Sequence, residues 1–122
     1  MRGEKGRRRF LVCDAASLPP GGRVVRTVGG LSIGVFNVGG QFFALHNRCP
    51  HRGGAVCLGP VTGTTLATGD FGYVYGREGE IVRCAGHGWE FDIRTGRSLV
   101  DEKLRAKTFA VEVEHGRVYV VL

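Results

Sequence analysis

Two short segments of this chain combine a cysteine with a histidine at close spacing. The first reads Cys49-x-His51 and the second reads Cys84-x-x-His87. Thiolate and imidazole ligands together suit Zn²⁺ or an iron–sulfur centre. Glycines flank both segments, and they would let backbone N–H groups approach bridging sulfides closely, which a compact zinc ion does not require. These glycines are Gly53, Gly54, Gly86 and Gly88. The two segments therefore predict a pair of metal-binding loops.

The residues around both segments resemble the signature of the Rieske proteins. The resemblance covers residues 47–54 and 84–96, and most of the chain from Leu18 onward is similar to a Rieske ferredoxin. It implies an all-β fold, an antiparallel β-sandwich with two cluster-binding loops. It also implies one [2Fe–2S] cluster per chain, in which one iron is bound by two cysteines and the other by two histidines. The implied ligands are Cys49 and Cys84 for the first iron and His51 and His87 for the second.

Three features depart from the family's pattern. Residues 60–78 look like an insertion between the two loops relative to the smallest ferredoxins, so another hairpin is expected there. The second loop carries Ala85 and Gly86 where family members often have proline and an aromatic residue, which would loosen the cover over the cluster. Respiratory relatives join their loops by a disulfide, but the positions that would carry it are Gly54 and Gly86 here, so that bridge cannot form.

A Cys₂His₂ zinc site is the alternative for the same four residues. Colour and stoichiometry separate the two: an iron–sulfur protein is red-brown and contains iron and sulfide, whereas zinc leaves it colourless. His46 lies three residues before Cys49 and could act as a ligand in a zinc site. A polar residue that ends a strand is the simpler interpretation of His46.

Three further residues near these segments have structural interpretations. Cys57 lies among apolar residues and predicts a buried free thiol. Cys13 is expected at a core position on an edge strand. Trp89 follows the second loop directly, and packing in the core is the expectation for it. A rim position that shields the cluster is the alternative.

Hairpin signals recur along the chain and must position the two loops. Double glycines join residues 23–28 to 31–37 and then 31–37 to 42–45, while residues 114–117 join the last two strands. Another turn is predicted at residues 77–80. In the last hairpin one face is expected to hold Phe109, Val111, Val113, Val118 and Val120. No segment carries a persuasive helical period with caps, so an antiparallel β architecture is predicted.

Length and charge favour one domain with a basic N-terminus. The 122 residues leave room for a single compact domain. The first nine residues hold five basic residues and one acidic residue, which accounts for four of the six net positive charges. We therefore expect a disordered basic arm at residues 1–9 and a Rieske [2Fe–2S] domain at residues 10–122. No apolar stretch approaches membrane-spanning length and no secretory signal follows the arm, so a soluble, cytoplasmic protein with no membrane partner is predicted.

The expected function is electron transfer rather than catalysis. The chain is too short to hold the additional mononuclear-iron domain of a Rieske oxygenase. The resemblance implies that it accepts one electron from a flavoprotein reductase and passes it to an oxygenase or another terminal acceptor. The predicted rim of the docking surface consists of Arg48, Arg52, Gly53, Gly88 and Trp89.

Two other functions stay open from the sequence. A small Rieske subunit held permanently in a larger reductase complex would show the same features. A zinc-binding module whose basic arm contacts nucleic acid is the other alternative. Nucleic acid is the less favoured partner because the arm has no interleaved aromatic residues and the rest of the chain carries little net charge.

Overall fold

The computed structural model describes residues 8–50, 53–67, 73–85, 88–101 and 103–122. Within these residues, nine β-strands and two single turns of 3₁₀ helix make up the regular structure. The strands are β1 Arg9–Asp14, β2 Arg23–Val28, β3 Leu31–Val38, β4 Gln41–His46, β5 Val61–Ala67, β6 Tyr73–Arg83, β7 Glu90–Asp92, β8 Thr108–Glu114 and β9 Arg117–Val121. The 3₁₀ turns span Ala15–Ser17 and Val56–Leu58. The strand pairs are antiparallel, which confirms the predicted all-β architecture.

Six strands form a large sheet in the order β1-β9-β8-β4-β3-β2. The hairpins β2–β3 and β3–β4 turn at Gly29–Gly30 and Gly39–Gly40, as predicted. These four glycines have φ between +57° and +96°, a region that costs little only for glycine. Two left-handed residues in succession make the tight turn whose twist matches paired strands. The double glycines therefore set the register of three strands.

The two edge strands of the large sheet curl toward each other and touch. The turn between β2 and β3 reaches β1, because a Cβ added to Gly29 would lie 2.5 Å from Leu122 and 3.5 Å from the ring of Phe10. Cys13 is half-buried against the core enclosed by this sheet, so its predicted core position on an edge strand is confirmed. Apolar residues that are buried in this core include Leu18, Ile33, Val35, Val118 and Val120.

The last hairpin, β8–β9, confirms the predicted shared face, although one of its five residues is exposed. Glu114 faces Arg117 across the turn, and Val113 pairs with Val118. Val118 is fully buried, but 53% of Val113 is exposed. Val118 is covered because β9 also pairs with β1 at Cys13. Val113 lies beyond the short pairing of β8 with β4, which includes only Thr108 and Phe109.

The predicted boundary between arm and domain, after residue 9, lies too late in the chain. Strand β1 begins at Arg9, and Arg8 exchanges two backbone hydrogen bonds with Leu122. The Arg9 guanidinium lies 4.0 Å from the centre of the Tyr119 ring and bonds the Glu114 carboxylate at 2.8 Å. These partners are distant in sequence, so the charge run alone did not reveal them. Residues 1–7 of the predicted arm lie outside the described residues.

The three strands β5, β6 and β7 form a smaller sheet in that order. The hairpin expected between the two loops is present as β5 and β6, and the residues that join these strands lie outside the described ones. The prediction of a turn at residues 77–80 is wrong, because these residues form a bulge inside β6. Thr62 pairs with Ile81 and Thr64 pairs with Gly76, so one β5 residue faces four β6 residues.

The bulge in β6 is stabilised by backbone conformation and charge. Arg77 and Gly79 adopt φ of +56° and +81°. The Arg77 guanidinium donates to Glu80 at 3.0 Å and to the Asp92 carboxylate of β7. Residues 77–80 are thus of types that form turns, but the chain does not reverse there, since β5 pairs with β6 on both sides of them.

The two sheets pack on one another through a shared apolar core. The large sheet contributes Phe36 and Leu45, and the smaller sheet contributes Val82 and Phe91. The predicted sandwich is confirmed by this packing. Among the residues that the structure describes, no helix is long and apolar enough to cross a membrane.

Candidate metal centre

The two cysteine–histidine segments follow strands of different sheets. The first loop (residues 47–55) leaves β4 of the large sheet, and the second loop (residues 84–89) joins β6 to β7 of the smaller sheet. Because the two sheets pack face to face, both cysteines enter the same buried cluster. Cys49 and Cys84 are each 1% exposed. The predicted ligands His51 and His87 lie outside the described residues.

The two loops are closed by the same pair of backbone hydrogen bonds. In the first loop, the Cys49 N–H donates to the Gly54 carbonyl at 2.7 Å and the Gly53 N–H donates to the Cys49 carbonyl at 2.6 Å. In the second loop, the Cys84 N–H donates to the Trp89 carbonyl at 2.7 Å and the Gly88 N–H donates to the Cys84 carbonyl at 2.9 Å. Each cysteine therefore opens a loop that returns on itself five residues later.

A glycine makes each closure possible. Gly53 and Gly88 stand four residues after their cysteines and have φ of +76° and +73°. An L-residue adopts this region at a cost of about 1–2 kcal/mol. The glycines flanking the motif thus have a conformational role at these positions.

Contacts between the loop stems bring the two cysteines toward one site. A Cβ added to Gly54 of the first loop would lie 3.3 Å from Cys84 Sγ. Beyond the first loop, the carbonyl of Pro60 accepts a hydrogen bond of 2.9 Å from the N–H of Arg83. Gly59 packs so closely that a Cβ there would overlap the carbonyl oxygen of Arg83. The absence of side chains at Gly54 and Gly59 is therefore what allows the loops to meet.

The first loop is also attached to the large sheet by Asn47, which is neither a predicted ligand nor a predicted residue of the docking rim. Its side-chain amide donates to Ser32 Oγ at 3.1 Å, and its side-chain carbonyl accepts from the Cys57 N–H at 2.8 Å. Its backbone N–H donates to the Ser32 carbonyl at 2.8 Å. A polar residue two positions before the motif was the only signal in the sequence that could have suggested this role.

The second loop is supported by charged residues of the smaller sheet. Glu90 accepts a hydrogen bond of 2.8 Å from Thr64 Oγ1 and pairs with Arg83 at 3.1 Å. Trp89 is half-buried and packs against the core, as expected. Gly88, by contrast, is exposed at the surface of the loop.

The predicted buried thiol is confirmed at Cys57. This residue is fully buried, and its Sγ lies 3.5 Å from the Leu45 carbonyl oxygen. Burial raises the pKa of the Cys57 thiol to about 12. Cys57 thus belongs to the core.

A cleft of about 440 Å³ opens beside the first loop. Arg48, Cys49 and Gly53 line it from the loop, and Arg105 and Lys107 line it from the segment before β8. His46, which ends β4 as predicted, completes the lining with its ring edge-on to Phe109. Of the predicted docking rim, the structure therefore places Arg48 and Gly53 at this cleft. Arg52 lies outside the described residues.

The paired thiols fit a shared iron–sulfur cofactor. Both are buried and lie on loops that are closed alike and meet at glycines. Such a two-sheet sandwich with paired cysteine loops defines a small cluster-binding electron carrier. The chain belongs to the Rieske [2Fe–2S] domain family, whose model matches residues 8–112. It accordingly binds one Rieske [2Fe–2S] cluster, which decides against the zinc alternative.

Known relatives agree with this family. Ferredoxin CarAc from Metapseudomonas resinovorans is 30% identical over 111 residues, which make up 89% of each chain. The 3-phenylpropionate/cinnamic acid dioxygenase ferredoxin subunit of Escherichia coli K12 is 28% identical over 115 residues, or 93% of each chain. Because both relatives are ferredoxin components, the chain is an electron-transfer protein and not a catalytic enzyme.

Solved structures show the same fold. One chain from the complex of reduced oxygenase and oxidised ferredoxin in carbazole 1,9a-dioxygenase has a TM-score of 0.72 and 27% identity, with coverage of 92% of this chain and 91% of that one. The ferredoxin of Sphingomonas yanoikuyae B1 has a TM-score of 0.69 and 26% identity, with coverage of 94% and 99%. The predicted Rieske-type sandwich is thereby confirmed.

Proposed function

We propose that this protein carries single electrons from a flavoprotein reductase to an oxygenase or a similar terminal acceptor. The observation that carries the proposal is the pair of matched, glycine-closed loops that bury Cys49 and Cys84 at one end of the sandwich. The Escherichia coli relative is named as the ferredoxin subunit of a dioxygenase, and one of the similar solved structures is a complex of an oxygenase with a ferredoxin, which supports an oxygenase as the acceptor.

We propose Cys49 and Cys84 as the ligands of one iron and His51 and His87 as the ligands of the other. When bound, the cluster supplies a site that gains and loses one electron. The chain's own residues bury the thiols, hold the loops closed through Gly53 and Gly88, and keep water away from the sulfur side of the site. The support for both thiols is their burial and their shared hydrogen-bond pattern.

A cytoplasmic location is part of the same proposal. Cys13 and Cys57 are thiols that form no disulfide. Free thiols are typical of reducing compartments, where a small domain of this kind would meet soluble redox partners.

Analysis of anaerobically purified protein tests the cofactor and its ligands together. We expect two irons and two acid-labile sulfides per chain, and an EPR signal that appears on reduction by one electron. Cys49→Ser and Cys84→Ser should lose the visible absorption, while Cys57→Ala and Cys13→Ser should keep it. Bleaching of Cys57→Ala together with a coloured Cys84→Ser would overturn the ligand assignment.

Replacing both histidines by cysteine tests whether they are iron ligands, because cysteine can also bind iron and the cluster should therefore be retained. A Rieske centre has a potential of about −150 to +300 mV, whereas plant-type clusters with four cysteines lie near −400 mV. A coloured double variant of His51→Cys and His87→Cys should therefore show a much lower potential. An unchanged potential in that variant would show that the histidines do not bind iron.

Turnover with partners tests the carrier role. The reduced protein should be reoxidised in the presence of a Rieske oxygenase and its substrate, and the oxidised protein should be reduced by a flavoprotein reductase with NADH. A protein whose cluster cycles chemically but exchanges electrons with neither class of partner would refute the proposed place in electron transfer.

A further inference from the structure

The cleft beside the first loop is built by parts of the chain that are far apart in sequence. Strand β4 pairs with β8 through Leu45 and Thr108, and the His46 N–H donates to the Lys107 carbonyl at 2.8 Å. This pairing brings the segment before β8 against the start of the first loop. Arg105 and Lys107 consequently line the same cleft as Arg48.

The cleft is positively charged, and none of the described residues that line it is acidic. Arg48, Arg105 and Lys107 are all exposed. Within the part of the chain that the structure describes, no carboxylate lies within 4.0 Å of any of these three cations. The second loop differs, because its neighbour Arg83 is paired with Glu90. Unneutralised charge is therefore concentrated on the first-loop side of the site.

Such an arrangement favours an anionic partner. Like charges around one concavity repel each other, and a cleft with low-dielectric walls focuses their field outward. An anion placed among them relieves that repulsion and can accept hydrogen bonds from two guanidinium groups. The cleft also touches Cys49 and Pro50, so a group seated there lies directly beside a loop that holds the cluster.

We infer that this cleft docks an acidic surface of the redox partner, with Asp or Glu side chains of that partner between Arg48, Arg105 and Lys107. The inference rests on the proposed electron-carrier function and adds the charge of the partner to it. Nucleic acid is the other polyanion that such charges could attract. The lining favours a protein because the described residues of the cleft include no Phe, Tyr or Trp on which a base could stack.

Small redox reagents of opposite charge test the electrostatic potential of the cleft, and they do so without the need to identify the natural redox partner. The reduced holoprotein is oxidised in a stopped-flow instrument by hexacyanoferrate(III), an anion, or by tris(phenanthroline)cobalt(III), a cation. The ratio of the two rate constants is compared among variants at low ionic strength. A change in cluster potential moves both rates in the same direction, so a change in their ratio reports electrostatics.

Arg105→Glu and Lys107→Glu are the test variants and Arg117→Glu is the matched control. All three change the charge by the same amount, but Arg117 lies at the far tip of the β8–β9 hairpin, about 20 Å along the strand from Lys107. We expect the anion-to-cation ratio to fall about threefold or more in each test variant and to stay nearly constant in the control. The difference should disappear as salt screens the charges. Equal ratios in test and control variants would overturn the inference.

Two further measurements keep the outcome decisive. If a glutamate variant loses its colour, Arg105→Gln and Lys107→Gln provide the same test with a smaller charge change. Polyglutamate should slow oxidation of the wild type by hexacyanoferrate(III) and should do so less in the Lys107 variant.

Inhibition by duplex DNA but not by polyglutamate would assign the cleft to nucleic acid instead. A protein without a reversible cluster would refute the proposed function, whereas a reversible cluster with no charge preference would refute only the docking site.

Discussion

The two cysteine loops are alike in backbone and different in support. Both close through hydrogen bonds from residues four and five positions apart, with a left-handed glycine in each. The first loop is tied to the large sheet by the partly buried hydrogen bonds of Asn47, whereas the second is tied within the smaller sheet by Glu90. The comparison teaches that a common loop geometry can be held by two unrelated sets of interactions.

The two loops also differ in the charge of the protein surface beside them. The cations next to the first loop have no carboxylate partner among the described residues, while Arg83 beside the second loop does. The first loop is therefore held by the hydrogen bonds of Asn47 and lies beside cations that have no described carboxylate partner. The second loop is held by Glu90, which also neutralises the nearby Arg83. Variants that act on both loops, on one loop or on neither can test this contrast.

The largest effect is expected where the two loop stems touch. Gly59→Ala places a Cβ on the carbonyl oxygen of Arg83, and neither backbone can yield without separating the stems. We expect a loss of more than about 3 kcal/mol in the free energy of unfolding, together with poor cluster incorporation. Guanidinium titration and iron content provide the measurements. Gly76→Ala is the control, because its Cβ meets only the end of the partly exposed Leu66 side chain and should cost much less.

Removing the anchor of the first loop should have the next largest effect. Asn47→Ala deletes two side-chain hydrogen bonds and leaves the buried N–H of Cys57 without its acceptor, at a cost of about 1–3 kcal/mol. Asn37→Ala is a matched control, because Asn37 lies near the opposite end of β3 from Ser32 and its side chain also makes two hydrogen bonds. Both variants should lose stability, but only Asn47→Ala should alter the EPR spectrum of the cluster. Identical spectra would show that Asn47 supports the fold without positioning the loop.

The shared closure predicts equal responses from both loops. Gly53→Ala and Gly88→Ala should each cost about 1–2 kcal/mol, because the left-handed φ penalises any Cβ while no backbone atom obstructs it. Both should also speed the loss of visible colour in guanidinium. Gly39→Ala imposes a similar φ penalty in an open turn and should leave the rate of colour loss relative to unfolding unchanged. A cost at only one of the two loops would break the equivalence.

Alkaline pH should destabilise the protein through the buried thiol of Cys57. Burial raises the pKa of Cys57 to about 12, while the unfolded thiol releases its proton near pH ~9. The unfolded state thus binds fewer protons between these values, so stability should fall as pH rises through this window, by about 1.4 kcal/mol at pH ~10. Cys57→Ala should show a shallower decline between pH ~9 and ~11 than the wild type. Parallel curves for the two proteins would contradict the burial of a protonated thiol.

The smallest effect is expected at the anchor of the second loop. Glu90→Gln keeps an acceptor for Thr64 but removes the charge that pairs with Arg83, whose side chain is 46% exposed. Solvent-exposed ion pairs contribute little, so the loss should be below about 1 kcal/mol. Unfolding at low and high salt measures it, since a real ion-pair contribution shrinks with salt. A loss as large as that of Asn47→Ala would remove the proposed difference between the loops.

Much of the site could be predicted because it is encoded locally. The double glycines at 29–30 and 39–40 specify tight turns, and each metal-binding segment contains its cysteine and closing glycine within a few residues. The bulge at Arg77 could not be predicted, because its residues are also turn formers. Only the continued pairing of β5 with β6 shows that the chain does not reverse there.

By itself, the sequence determined the two cysteine–histidine segments, the family that they resemble and the double-glycine hairpins, since each of these is a pattern of residues close together in the chain. Only the tertiary structure decided that Asn47 reaches Ser32 and Cys57, that Gly59 must lie against Arg83, and that Lys107 joins Arg48 at one cleft. The physical reason is strand pairing between distant segments. The contact between β4 and β8 costs chain entropy and leaves no periodic signal at Arg105 or Lys107, so the charge that these residues bring to the first loop becomes visible only in the folded protein.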